Sequence, residues 1–256
     1  MSIISSLAER AQREERTRIY GVVVGIVTNN KETNGRYMVK VRFPWLPNGD
    51  ESGQTSQESD WCRIATLMAG NGRGHYCLPE VGDEVLIAFE HGEIMRPYVI
   101  GSLWNKTDAA ILDNKGGKNN LRTFKSRSGH VLEFCDDKDN GEKVSIISNG
   151  AAKIVIDDKA KTIQIYGHSG NNFVQIDDQN KKVSVTSADK VELKSTGDYN
   201  IDCDNLNINA KTNITIKAGS NLDMKASSNF TLKAGSQGTV QSGATLTVKG
   251  STVNIN

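Results

Sequence analysis

Three pairs of adjacent carboxylates, Asp136-Asp137, Asp157-Asp158 and Asp177-Asp178, are the residues of this chain best suited to chemistry. Paired carboxylates hold calcium or serve as general acid and base in glycoside hydrolysis. Each pair, however, falls at one position of a repeat that begins at Val131, Ile154 and Phe173 and reads strand, Asp-Asp, Lys, strand. Asp is favoured in such turns because its side chain accepts hydrogen bonds from nearby amides. The repeat therefore assigns the pairs to turns. Gly70-Asn-Gly72-Arg-Gly74 has the look of a phosphate-cradling loop, but a third glycine of that pattern would fall on His75 and no helix pattern follows. Cys62, His75 and Cys77 fit no standard zinc spacing. His75, His91, His130 and His168 are too scattered to form a cluster. No nucleophile-base motif stands out, so neither an enzyme nor a cofactor or metal is expected.

The elements that must position these residues are β-strands. Gly contributes 24 residues and Pro only 4, while hydrophobic residues make up 37%, which suits thin, turn-rich β structure better than a thick core. A formal net charge of +1 supplies no overall field for nucleic acid or an anionic surface. No run approaches the roughly 18 apolar residues of a membrane span. The N-terminal sequence MSIISSLAERAQREER carries charges where a signal peptide has its apolar run, so synthesis in the cytoplasm without Sec export is expected. The four cysteines, Cys62, Cys77, Cys135 and Cys203, then read as small buried hydrophobes.

Beyond Tyr199 the chain repeats about every eight residues: LNINAKTN, ITIKAGSN, LDMKASSN, FTLKAGSQ, GTVQSGAT, then LTVKGST and VNIN. Each unit alternates like a half-buried strand and closes on a Gly, Ser or Asn corner. Single-chain solenoids need repeats of roughly 20 residues or more. Eight residues make one strand and one corner, so a closed prism needs three chains. The expected trimer core is Ile214, Ile216, Leu222, Met224, Phe230, Leu232, Leu246 and Val248, with Asp223 and Lys225 facing water. If each unit advances one strand spacing of roughly 4.8 Å, the short units from Val183 onward span about 45 Å.

Four segments follow. Residues 1–18 read as a short polar helix, either a frayed terminus or a docking arm. Residues 19–104 read as a five-stranded antiparallel Greek-key barrel of the OB type, with strands over 20–28, 36–43, 60–67, 84–90 and 98–104. Residues 105–129 read as a linker, and residues 130–256 as a β-helical spike. The chain ends in mid-pattern with Thr252, Val253, Asn254, Ile255 and Asn256, which implies exposed strand edges that another protein covers.

Six ordered blocks carry a resemblance to a known family: VRFPW at 41–45, WCRIA at 61–65, the Ala-Gly…Gly turn at 69–74, LPEVGDEV at 78–85, FEHG at 89–92 and RPYVIGSLWN at 96–105. This stretch resembles the OB domain of phage baseplate central spikes and of VgrG spikes of type VI secretion. Ser128-Gly129-His130-VLEF followed by Asp-Asp is similar to the start of that family's β-helix. The resemblance implies an all-β homotrimer, with an OB barrel followed by an intertwined triple-stranded β-helix. It further implies a hub protein at the barrel end, a PAAR-like tip protein at the C-terminal end and a transient encounter with a target membrane. VgrG proteins resemble a fusion with a large hub ahead of the barrel, whereas only residues 1–19 precede it here. The linker cannot hold the lysozyme domain of some phage spikes. No histidine follows His168, so the iron-binding H-x-H tip of some shorter spikes has no counterpart. Two other classes remain beside this reading: a carbohydrate-binding tailspike, which would need clustered exposed aromatics, and a nucleic-acid-binding OB protein, which would need a basic aromatic barrel face.

Overall fold

The computed structural model describes residues 18–46 and 58–255, and the chain divides into two units, Met1–Val191 and Glu192–Asn256. The expected N-terminal helix falls, apart from Arg18, outside the described residues, as does the turn expected at 48–53.

Alternating valines, isoleucines and aromatics form a closed barrel from β1 (Val22–Asn29), β2 (Met38–Arg42), β3 (Cys62–Ile64), β6 (Glu84–Phe89) and β7 (Pro97–Leu103), in the order β1-β2-β3-β7-β6. A two-stranded hairpin of β4 (Ala69–Gly70) and β5 (Arg73–Gly74) sits between β3 and β6 in sequence. All five expected strands are present, the third shortened. The expectation of antiparallel pairing throughout needs correcting, because β3 and β7 run parallel, with Arg63 opposite Tyr98 and Ile64 opposite Val99. A closed ring of five strands cannot alternate direction at every junction, so one pair must be parallel.

The pleat sends Val85, Ile87 and Phe89 of β6 inward, where they meet Val39 and Val41 of β2, Val27 of β1 and Val99 of β7. A Cβ on Gly25 would stand 3.1 Å from Ile87 Cγ1 and 3.4 Å from Val41 Cβ, so a bare backbone there lets β1 close on the core. Cys62 is fully buried in this core and burial pushes its thiol pKa up. The other three cysteines depart from expectation: Cys77 and Cys203 are exposed and Cys135 is half-buried. Cys77 lies on the connection leading to β6, held by the Tyr37 hydroxyl, which accepts from its amide at 3.1 Å and donates to its carbonyl at 2.6 Å.

Beyond the barrel, seven strands of five residues form an antiparallel meander in strict sequence order: β8 (Leu121–Lys125), β9 (Val131–Cys135), β10 (Lys143–Ile147), β11 (Lys153–Asp157), β12 (Thr162–Tyr166), β13 (Phe173–Asp177) and β14 (Lys182–Thr186). The stretch expected as a linker, 105–129, thus contains β8, paired along its length with β9. Its sequence LRTFK offers only Leu121 and Phe124 as apolar residues, too weak a pattern to announce a strand without its partner.

The described residues of the second unit form no strand. Among the described residues, bends recur at 196/197, 204, 211/212, 219/220, 227/228, 235/236, 243/244 and 251/252. These are the corners between successive octads. Replacing Ile87 with Ala should lower barrel stability by about 3 kcal/mol, read from urea unfolding of the full chain.

Candidate assembly surface

The turn chemistry fixes the meander's register. Asp137 Oδ1 accepts from the amides of Asp139 (3.0 Å) and Asn140 (3.2 Å), Asp157 Oδ1 from Ala160 (2.8 Å), and Asp177 Oδ1 from Asn180 (2.9 Å). The Asn140 and Asn180 side-chain amides donate to the second oxygens of Asp137 and Asp177. Lys161 (φ 54°) and Lys181 (φ 49°) then take left-handed backbone just before the returning strand, while Gly141 (φ 109°) closes the longer first turn. That extra length explains why the turn-forming carboxylate is the second of its pair at Asp137 but the first at Asp157 and Asp177. On the opposite edge, the Asn149 amide donates to His130 Nδ1 (3.2 Å), His168 Nδ1 donates to the Gly150 carbonyl (2.6 Å), and the Ala188 amide donates to Asn172 Oδ1 (2.8 Å). Each turn is tied to the next.

With register fixed this way, one face of the sheet becomes apolar from edge to edge. Phe124, Leu132, Ile146, Ile154, Ile165, Val174 and Val185 stand opposite one another in one row across all seven strands. Phe134, Val144, Ile156, Ile163, Ile176 and Val183 form a second row beside it. The other face carries the polar row Thr123, Glu133, Ser145, Val155, Gln164, Gln175 and Ser184. Among the described residues nothing covers the apolar rows: Ile146 is 52% exposed and Val183 69%. A contiguous apolar face of this extent marks an interaction surface.

The octad segment shows the same deficit more severely. Every residue expected in the trimer core is exposed in the single chain: Ile214, Ile216, Leu222, Met224, Phe230, Leu232, Leu246 and Val248 range from 56% to 77%. Among the described residues, 193–255 make no backbone–backbone hydrogen bond with one another. Cys203 is exposed for the same reason, since its own chain covers no side chain here. Following the corner at Ser251–Thr252, Val253 is 48% and Ile255 92% exposed, Asn254 is exposed, and Asn256 lies outside the described residues. The two rows on the meander were not among the expected core residues, although alternating Val and Ile in VSII, IVI, IQI, VQI and VSV carried the signal. What the sequence lacked was the register that places them opposite one another.

On the barrel, Lys40 lies 5.5 Å over the Trp61 ring and Arg63 lies 5.6 Å over Tyr98. Lys40 is paired with Glu58 (2.9 Å), and Arg96 with Glu90 (3.5 Å) and Glu93 (3.3 Å), so much of the local positive charge is already matched. Cys62 points into the core and His75 Nδ1 lies 3.3 Å from Thr66 Oγ1, so the Cys62, His75 and Cys77 side chains do not converge. Among the described residues no helix is long and apolar enough to cross a membrane.

Residues 23–104 match the family described as the type VI secretion system/phage-baseplate injector OB domain. The chain is 28% identical over 157 residues to the type VI secretion system spike protein VgrG1b of Pseudomonas aeruginosa, a match covering 56% of this chain and 21% of that protein. It is 34% identical over 87 residues to the spike protein VgrG3 of Vibrio cholerae, covering 33% of this chain and 8% of the relative. A third relative, the actin cross-linking toxin VgrG1 of Vibrio cholerae, is 26% identical over 174 residues, 64% of this chain and 13% of that protein. The matched stretch spans about a fifth or less of the length of these relatives.

Hydrogen bonding from turn amides and from Asn140 and Asn180 holds the Asp137 and Asp177 carboxyls below the usual range; for Asp157 the Ala160 amide is the leading cause, followed by Lys143. A depressed folded pKa means the contribution is present above the unfolded value of about 3.9 and lost as pH falls through the folded value. Amide hydrogen exchange at Asn140, Ala160 and Asn180 should therefore accelerate selectively on acidification below about pH 4, beyond the intrinsic pH dependence. Asp177→Ala should reproduce the acceleration at Asn180 at neutral pH.

Proposed function

We propose that the chain is a VgrG-like, non-enzymatic structural protein, the homotrimeric central spike of a contractile tail baseplate or injection system, a reading supported by the match of residues 23–104 to the injector OB domain and by the similarity to VgrG spike proteins. One observation carries the proposal. Among the described residues, the segment from 193 to 255 bends at each octad corner yet makes no backbone–backbone hydrogen bond within itself. Backbone donors and acceptors removed from water require partners. Two further copies supply them if each chain contributes one strand to every layer of a three-walled prism. Phe230, Leu232 and their equivalents then meet on the axis. In the meander each chain instead forms a whole wall, and its two apolar rows face those of the other two chains. Both halves of residues 130–256 thereby bury the face that alternation marks as apolar.

The partners follow from the family. The barrel of residues 19–104, with residues 1–18, seats on a hub protein. Thr252, Val253, Asn254, Ile255 and Asn256 present strand edges and two exposed apolar side chains to a PAAR-like tip protein, and the assembled particle then punctures a target envelope. The carbohydrate-binding tailspike reading is not favoured: past residue 130, Phe134 lies in an apolar row and Phe230 takes an inward octad position, leaving few aromatics for sugars. The nucleic-acid reading is not favoured either, because Lys40, which lies over the Trp61 ring, is paired with Glu58, and Arg96 is paired with Glu90 and Glu93.

Light scattering of the purified chain should give three times the monomer mass, and a monomeric mass refutes the proposal. Ile156→Asp places a carboxylate in the middle of an apolar row and should abolish the trimer while barrel near-ultraviolet circular dichroism persists. Removing residues 252–256 should leave the trimer intact and abolish capture of a tip protein; retained capture would rule out that seat.

A further inference from the structure

The octads carry charge unevenly. Between Glu192 and Asp204 four acidic residues, Glu192, Asp198, Asp202 and Asp204, stand against Lys194 alone. From Asn205 onward the balance reverses, with Lys211, Lys217, Lys225, Lys233 and Lys249 against the single acid Asp223. Four of these lysines occupy one position of the repeat, the fourth residue of ITIK, LDMK, FTLK and LTVK. Strand alternation puts that position on the face opposite Ile214, Ile216, Leu222 and Met224, together with the second position, which reads Thr215, Asp223, Thr231, Thr239 and Thr247.

If three chains each supply one strand per layer, as proposed above, the next octad of any chain lies on the next wall. Each wall is then a stack of successive octads taken from different chains. Lys217, Lys225 and Lys233 fall one above another on every wall, about 4.8 Å apart, with Lys249 two rungs further on. Like charges aligned across neighbouring strands are mutually destabilising. The sequence supplies one neighbouring carboxylate for relief, so the column is an electrostatic deficit that an external polyanion would satisfy.

We propose that this lysine column, flanked by its threonine column, is a docking surface for the headgroups of anionic phospholipids. The inference rests on the trimeric reading. The wall is stiff, flat and polar, and its apolar side chains point to the axis, so it engages a bilayer surface by charge and hydroxyl hydrogen bonds without inserting. A single-stranded nucleic acid would need aromatic platforms on that face, and Phe230 occupies an inward position instead. The acidic octads from Glu192 to Asp204 confine the contact to the distal part of the repeat.

The test is co-sedimentation of the full chain, its mass first fixed by light scattering, with phosphatidylcholine vesicles prepared with and without phosphatidylglycerol. Binding should require phosphatidylglycerol and fall as salt is raised. The K217Q/K225Q/K233Q/K249Q variant should remain trimeric and bind at least about tenfold more weakly, while the corresponding four-arginine variant should bind like the parent. Removing as many charges elsewhere, in K106Q/K138Q/K161Q/K181Q, should leave binding unchanged. Undiminished binding by the glutamine variant, equal loss in the control, or equally tight binding to a DNA duplex overturns the proposal. A monomeric mass would instead overturn the trimeric reading on which it stands.

Discussion

A main-chain amide withdrawn from water without a partner costs about 1–3 kcal/mol, and the way this chain meets that demand changes along its length. In the barrel the demand is met by closure: five strands pair around a ring and leave no open edge. In the meander it is met by seven strands in sequence order, joined by short turns. Among the described residues strand pairing stops after Thr186, and the octads from 193 onward make no backbone–backbone hydrogen bonds with one another. The proposed assembly surface coincides with that change, where exposed apolar side chains accompany backbone groups that are not paired with one another.

Side-chain burial follows the same division. Barrel alternation places Val85, Ile87 and Phe89 against residues of the same chain, so the core is complete there. In the meander the same alternation gives two apolar rows with nothing over them, and in the octads it gives isolated pairs such as Leu222 and Met224. The in-chain pairing of the meander fixes the position of each row within the chain itself. An octad, by contrast, has no internal reference for its register.

The polar residues divide similarly. In each Asp-Asp pair, which as bare sequence invites a catalytic reading, one carboxylate (Asp137, Asp157 or Asp177) accepts from turn amides, and Asn140, Lys143 and Asn180 engage its second oxygen. His130 and His168 are engaged with neighbouring turns in the same way. The charged residues not absorbed by local bonding include the lysines of the distal octads, where one sign of charge recurs at one position of the repeat.

Much was legible in the sequence because it depends on local spacing. Period-two alternation marked the five barrel strands, Asp at strand ends marked the hairpin turns, and the eight-residue period placed corners where the bends occur, from 211/212 to 251/252. Pairing between distant strands was not legible, since no local pattern encodes it. The parallel β3–β7 junction, the recruitment of β8 from an expected linker and the alignment of Leu132 with Ile146 and Ile154 are all long-range choices. So is the exposure of Cys77 and Cys203, since a cysteine's burial depends on what folds over it. Sequence by itself determined which residues alternate and where the chain turns, because sterics and turn chemistry act between near neighbours. Only the tertiary structure decided which strands meet and where in-chain pairing ends, because hydrogen-bond closure is a property of the whole sheet.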